Sequence, residues 1–258
     1  MEARQPNRPV VGLLTDFGLQ DHYVGVVKGV IAGIAPGIQV VDISHAVTPQ
    51  SILAGQRLLL ASVPYFPPGS VFLAVVDPGV GTARRPLALR SAGCSFVGPD
   101  NGLFTPWLES DWQAVELIAP ALRLPVVSST FHGRDVFAPA AAHLALGMPL
   151  ERFGPRVTDP VRLLPPEPLR RDDGTIVGEV VYADHFGNLI TNVRPPSVSG
   201  AARFRDRQLR LAPTYGSAAP GELLALLGSE GELELAIRDG NAAQQLQASA
   251  GERVEWLP

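Results

Sequence analysis

The sequence predicts an α/β amino-terminal domain with a central, mainly parallel sheet, followed by a smaller all-β, barrel-like carboxy-terminal domain. Three observations carry this reading. The apolar run at 71–76, Val-Phe-Leu-Ala-Val-Val, is continuous rather than alternating, as a strand buried on both faces requires. In the first half such runs are separated by stretches long enough for helices, the pattern of strand–helix–strand crossovers. In the last third helical periodicity largely vanishes, and short apolar segments alternate with Gly, Pro and Asn.

Residues 10–14 read as the first strand. Asp21 is placed to cap a helix running through Ile34, which Pro36-Gly37 closes. A second strand follows at 38–41, then a helix over 52–63 past Thr48-Pro49, and the third strand is the run at 71–76. In sheets of this kind ligands bind beyond the carboxyl ends of the strands. The acids obey that rule, with Asp16 after the first strand, Asp42 closing the second with Ser44 and His45 beyond it, and Asp77 ending the third. Each is also an ordinary turn or cap residue, and Asp42 is the one most easily explained as structural.

The third strand stops abruptly in Asp77-Pro78-Gly79-Val80-Gly81-Thr82-Ala83-Arg84-Arg85. Gly79 and Gly81 permit a tight turn close to a ligand, and Arg84 lies near enough to fold back onto the Asp77 carboxylate. A structural loop and a functional one both fit this segment. Residues 86–97 read as a hairpin and Pro99-Asp100-Asn101-Gly102 as a turn. Thr130-Phe131-His132-Gly133-Arg134-Asp135 precedes a helical stretch at 136–146, with Asp135 as its expected cap and His132 at the entrance, where backbone amides also point. A lone histidine there is more often structural unless other site residues converge on it.

Prolines 160, 165, 166 and 168, with Arg170-Arg171-Asp172-Asp173-Gly174, mark an interdomain linker. The expected organisation is therefore a domain at 1–160, a linker at 161–175 and a domain at 176–258. Strands are expected at 176–182, 189–193, 202–204, 208–211, 223–227 and 233–237. Between the first two lies Asp184-His185-Phe186-Gly187-Asn188. Spacing alone does not choose between a plain hairpin and a turn that holds a ligand's amino and carboxylate groups.

Composition excludes several classes. The chain has 258 residues, 46% of them hydrophobic and 18% charged, enough for a substantial core in one or two domains. A net charge of −4 with scattered arginines gives no basic stripe, so nucleic acid is not an expected partner. No apolar run approaches the roughly 18 residues of a membrane span. The start, Met1-Glu2-Ala3-Arg4-Gln5-Pro6, lacks the apolar stretch of a secretion signal. The single cysteine, Cys94, cannot form an internal disulfide or a thiolate cluster, and a cytoplasmic location is expected.

Six motifs together carry a resemblance. They are Thr15-Asp16-Phe17-Gly18, Val76-Asp77-Pro78-Gly79-Val80-Gly81-Thr82, Pro99-Asp100-Asn101-Gly102, Phe131-His132-Gly133-Arg134-Asp135, Asp184-His185-Phe186-Gly187-Asn188, and Pro220-Gly221-Glu222 through Gly228-Ser229-Glu230-Gly231. In this order and over nearly the whole chain they resemble the S-adenosyl-L-methionine hydroxide adenosyltransferases, relatives of the fluorinase and chlorinase. The resemblance implies hydrolysis of S-adenosyl-L-methionine to adenosine and methionine without metal or organic cofactor. It also implies a homotrimer whose active sites form between the amino-terminal domain of one subunit and the carboxy-terminal domain of its neighbour.

The family's Asp, Arg and His set falls on Asp77, Arg84 and His132. Asp16 matches the residue that grips both ribose hydroxyls, a task suited to two acceptor oxygens. Asp184 and Asn188 match the turn that holds the methionine ammonium and carboxylate. Tyr215 and Phe131 match aromatic walls, while Ser229, Glu230, Asn241 and Ala242 match looser adenine and amino-acid contacts.

The chain departs from the fluorinase, which carries Tyr at Asp77, Ser at Gly133 and Trp at Gln50. An anionic Asp77 beside the nucleophile would repel halide, which favours water over halogenation. A metal-dependent nucleoside hydrolase is a weaker alternative: Thr15-Asp16-Phe17-Gly18-Leu19-Gln20-Asp21 loosely resembles its calcium motif but offers only two carboxylates. A non-catalytic adenosyl-ligand binder is the third alternative, because binding motifs alone do not establish turnover.

Overall fold

The structure, a computed structural model, describes residues 9–109 and 111–258; the Met1 to Pro6 segment, read above for a secretion signal, lies outside them. The chain divides into two compact units, 1–164 and 165–258.

The first unit contains β1 (Val10–Thr15), α1 (Tyr23–Ile34), β2 (Gln39–Ser44), α2 (Ile52–Ser62), β3 (Val71–Val75), β4 (Pro86–Ser91), β5 (Cys94–Pro99), β6 (Trp112–Glu116), α3 (Ala138–Ala145) and β7 (Arg156–Val157). The strands form one seven-stranded sheet in the order β2-β1-β3-β5-β4-β6-β7. β2, β1, β3 and β5 run parallel, whereas β5, β4, β6 and β7 are joined antiparallel. The sheet is thus mixed, not mainly parallel as expected. The cause is local: Ala92 and Gly93 both take positive φ, 50° and 73°, which makes the two-residue hairpin turn that reverses the chain.

Alternation along β3 explains its continuous apolar run. Val71, Leu73 and Val75 pack with Val24, Val27 and Ile31 of α1 and the alanines of α3, while Phe72, Ala74 and Val76 pack with Leu59 of α2 and with Phe96 and Phe104. Every residue of β3 is buried. Burying one such Leu or Phe side chain stabilises the fold by about 1.5–3 kcal/mol.

Three expected positions differ. Asp21 does not cap α1: His22 occupies that position and makes no side-chain cap bond. Asp135 does not cap a helix either, because it lies inside a π-helical turn, Gly133–Phe137, that leads into α3. Asp42 sits within β2, opposite Leu13, rather than closing it, and Ser44 is the last residue of the strand rather than beyond it. The Asp42 carboxylate pairs with Lys28 at 2.6 Å and His45 at 3.1 Å. Burial raises the Asp42 pKa, but these two partners outweigh it and hold the acid below its usual range.

Part of the expected linker is fastened to the first unit. Val161 N–H donates to Asp100 Oδ1 and Leu163 N–H to Thr105 Oγ1, both at 2.8 Å. Arg85 bridges Asp100 and Asp159.

The second unit contains β8 (Leu169–Arg170), β9 (Ile176–Ala183), β10 (Leu189–Thr191), β11 (Ala201–Phe204), β12 (Arg207–Arg210), β13 (Leu223–Leu227), β14 (Leu233–Ile237), the short helix α4 (Ala242–Leu246) and β15 (Arg253–Leu257). They form an antiparallel sheet in the order β12-β11-β15-β9-β10-β14-β13, with β8 on β9. A bridge between Leu211 and Ala225 links the two ends of that order, so the sheet is nearly closed into a barrel. Its interior holds Ile176, Leu189, Phe204, Leu235, Val254 and Trp256. Among the described residues, no helix is long and apolar enough to cross a membrane.

Candidate active site

Asp16 directly follows β1 and Asp77 lies two residues beyond β3, so two of the three acids meet at the carboxyl edge of adjacent parallel strands. Backbone contacts hold that edge in place. Asn101 of the Pro99-Asp100-Asn101-Gly102 turn donates from Nδ2 to the Val76 carbonyl at 2.9 Å, which fixes the strand exit just before Asp77. Gly81 has a φ of 78°, and a Cβ there would lie 2.7 Å from the Ser129 carbonyl oxygen. Only glycine lets the 77–84 loop approach the 128–130 loop so closely.

Arg84 folds back onto Asp77. Its Nε donates to Oδ1 at 2.9 Å and Oδ2 at 3.0 Å, and Nη2 also donates to Oδ2. The same Nη2 lies 3.0 Å from His132 Nδ1. Guanidinium nitrogens carry only donors, so His132 Nδ1 must be the acceptor, and the ring proton resides on Nε2. Phe137 supports the group from the π-turn, its ring centroid 5.1 Å from Arg84 Cζ. The Arg84 and Asp77 side chains are 9% and 6% exposed. This is a buried, charge-assisted and geometrically fixed network.

His132 is held below the ordinary histidine pKa of 6.5, first by burial and then by the Arg84 charge, with Asp77 opposing. It is therefore neutral at pH 7. Activity that requires neutral His132 persists as pH is lowered through 6.5 and falls only as pH drops through the depressed value. A pH profile of kcat/KM should place its acid limb below 6.5; a limb centred above 6.5 would contradict this assignment.

Around this group lies an aromatic wall. Phe131 meets Phe17 and Tyr23 edge to face, with centroids 6.0 and 5.2 Å apart, and Arg134 covers it at 5.1 Å. Tyr23 has no motif signal in the sequence and was not expected in this wall. A Cβ at Gly133 would lie 3.2 Å from Phe17 Cζ, so a larger residue there needs the ring to shift. Asp16 Oδ2 accepts from the Gln50 N–H at 2.8 Å. Gln50 itself has a positive φ of 64°.

The remaining expected residues lie in the second unit. Asp184 Oδ1 accepts from the Phe186 and Asn188 N–H groups, and Oδ2 accepts from Asn188 Nδ2. The turn is therefore shaped by its own acid. Asn241 packs against Gly187 and caps α4 by accepting from Gln244 N–H at 2.8 Å. Ala242 is fully buried in the barrel interior, so its side chain is a packing group. Ser229 and Glu230 are exposed in the β13–β14 turn. Tyr215 is 44% exposed, and its hydroxyl donates to Glu234, which the sequence reading did not single out.

Among the described residues, no three His, Cys, Asp or Glu side chains are grouped as a metal centre needs. An open groove of about 950 Å³ lined by Arg90, Trp112 and Arg156 lies at the opposite, amino edge of the parallel strands and contains none of the residues above.

Known proteins resemble this chain over nearly its whole length. The profile of the SAM hydroxide adenosyltransferase N-terminal domain matches residues 11–154, and that of the C-terminal domain matches 178–255. The (R)-S-adenosyl-L-methionine hydrolase of Thermus thermophilus is 46% identical, covering 97% of this chain and 100% of that protein. The protein of the same name from Salinispora tropica is 40% identical, covering 95% and 97%. A fluorinase from an Actinoplanes species is 30% identical over 94% and 95%. A solved structure of a conserved protein from Thermotoga maritima superposes with a TM-score of 0.87 at 36% identity, covering 96% of this chain and 100% of that one. With both domain profiles matched in order, the chain belongs to the SAM hydroxide adenosyltransferase family.

Proposed function

We propose that this chain is an enzyme that hydrolyses S-adenosyl-L-methionine to adenosine and L-methionine by in-line attack of water at C5′. The observation that carries this reading is the buried Asp77–Arg84–His132 network. It occurs in a chain 46% identical to an (R)-S-adenosyl-L-methionine hydrolase.

The substrate's sulfonium is already a good leaving group. The protein's task is to place a water in line with the C5′–S bond and make it nucleophilic. Orientation can supply up to ~7–11 kcal/mol, and a positioned base a further ~10²- to 10⁴-fold in rate. His132 Nδ1 is engaged by Arg84, so its Nε2–H is the donor that fixes the water. Asp77 polarises that water, and its carboxylate accepts the proton as the C5′–O bond forms and the C5′–S bond breaks. Arg84 fixes the Asp77 carboxylate in place and His132 in one tautomer.

Asp16 grips the ribose hydroxyls, Phe131 and Tyr215 flank the adenosyl group, and Asp184 and Asn188 take the methionine end. Ser229, Glu230 and Asn241 are more distant contacts in this reading. A homotrimer, a cytoplasmic location, and domains at 1–160 and 176–258 about the 161–175 linker belong to the same proposal. The compact units divide between 164 and 165, which supports the two-domain part.

Water is favoured over halide because Asp77 places a carboxylate, which repels an anion, beside the nucleophile. The test is incubation with each sulfonium epimer in ¹⁸O-water with chloride and fluoride present. Adenosine labelled at the 5′ oxygen is expected. A halogenated deoxyadenosine, or unlabelled adenosine, would overturn the proposal.

A further inference from the structure

Glu234 is a carboxylate in an interior position of a strand, and the proposed chemistry does not use it. The alternation Leu233-Glu234-Leu235-Ala236-Ile237 places it on the face opposite the barrel core. That face should be wet, yet Glu234 is only 5% exposed. It is flanked in the sheet by Leu226 of β13 and Ile190 of β10. A carboxylate among such neighbours is costly unless hydrogen-bonded. Its partner is the Tyr215 hydroxyl, which donates to Oε1 at 2.6 Å.

Tyr215 lies in a single 3₁₀ turn, Tyr215–Ser217, with its ring half in solvent. Arg238 holds the backbone of this turn through the Gly216 and Ala218 carbonyls, and Glu234 holds the phenol oxygen. Gly228 leaves room for the acid, since a Cβ there would lie 3.0 Å from Glu234 Oε2.

We infer that Glu234 is a positioning residue for substrate binding: by accepting the phenolic hydrogen bond it anchors the Tyr215 ring and leaves the lone pairs of the Tyr215 oxygen free to accept from an amino group of the substrate. Burial first, and the Asp184 charge after it, disfavour further negative charge on both groups, which fits an approaching N–H donor rather than an acceptor. The inference rests on the proposed placement of Tyr215 beside the adenosyl group. It goes further in making the selectivity of that wall depend on an acid in the strand beneath it.

The experiment uses the full-length chain and its Glu234→Leu, Glu234→Gln and Tyr215→Phe variants, plus the Glu234→Leu/Tyr215→Phe double variant. Leucine suits the apolar flanks, and glutamine keeps an acceptor for the phenol. KM and kcat are measured with S-adenosyl-L-methionine, and adenosine binding is titrated in parallel. Glu234→Leu and Tyr215→Phe should each raise KM roughly fivefold to tenfold, the worth of one buried hydrogen bond, with kcat within about twofold. Glu234→Gln should restore most of the loss, and the double variant should be no worse than either single one. Unchanged KM in folded Glu234→Leu, or additive effects, would overturn the inference. A wild-type chain that binds adenosine but releases none from the substrate would overturn the proposed reaction, and the binding titration would then decide the role of Glu234 alone.

Discussion

Asp77→Asn is expected to lower kcat roughly 10²- to 10⁴-fold, with a smaller change in KM, in a protein that retains its native circular dichroism. Asparagine keeps the shape of the side chain and one acceptor for Arg84 Nε, but it removes the negative charge. The amide cannot accept the water's proton, and its NH₂ would face the Arg84 donors that now reach Oδ2. A loss confined to kcat would mark an interaction made in the transition state rather than in substrate binding. Near-normal turnover in the folded variant would refute the role given to Asp77.

Arg84→Ala should have the larger structural effect. The Asp77 side chain is only 6% exposed and, among the described residues, takes its three side-chain hydrogen bonds from this one arginine. Removing one member of a buried pair leaves an uncompensated charge, at a cost of about 3–5 kcal/mol. Urea unfolding of wild type and variant at pH 7 measures it. Adding Asp77→Ala to Arg84→Ala should recover part of the stability, because the stranded charge is then gone, while activity remains lost. A double variant less stable than Arg84→Ala would show that the cost lies in lost packing over Phe137 instead. Arg84→Lys should not rescue turnover, because an ammonium cannot reproduce the planar fork that spans Asp77 and His132.

Much of this was legible in the chain. The unbroken run of β3 announced a strand covered on both faces, and the spacing after it announced that Arg84 could fold back onto Asp77, as it does. Periodicity was silent where the local code is weak. The hairpin at 86–97 was legible and turns at Ala92-Gly93, but the further antiparallel strands β6 and β7 that complete the mixed sheet were not. Asp21 and Asp135 satisfied the composition rule for caps, but rules of composition do not see Arg134 and the Ser128 amide, which claim the Asp135 carboxylate. β15 and α4 were missed because each spans only five residues. Glu234 was invisible for a different reason: a polar residue in an alternating strand reads as solvent-facing, and only tertiary structure reveals that the second face is covered.

The π-turn at Gly133–Phe137 brings His132 and Phe137, five residues apart, onto one face, their ring centroids 6.5 Å apart and both against Arg84. Here the Ala138 amide reaches back to Gly133, one residue further than in an α-helix. Wound as an ordinary α-helix, the same five-residue step would set the two side chains about 140° apart and swing His132 away from Arg84. The winding of this stretch is therefore constrained by the direction in which one imidazole points.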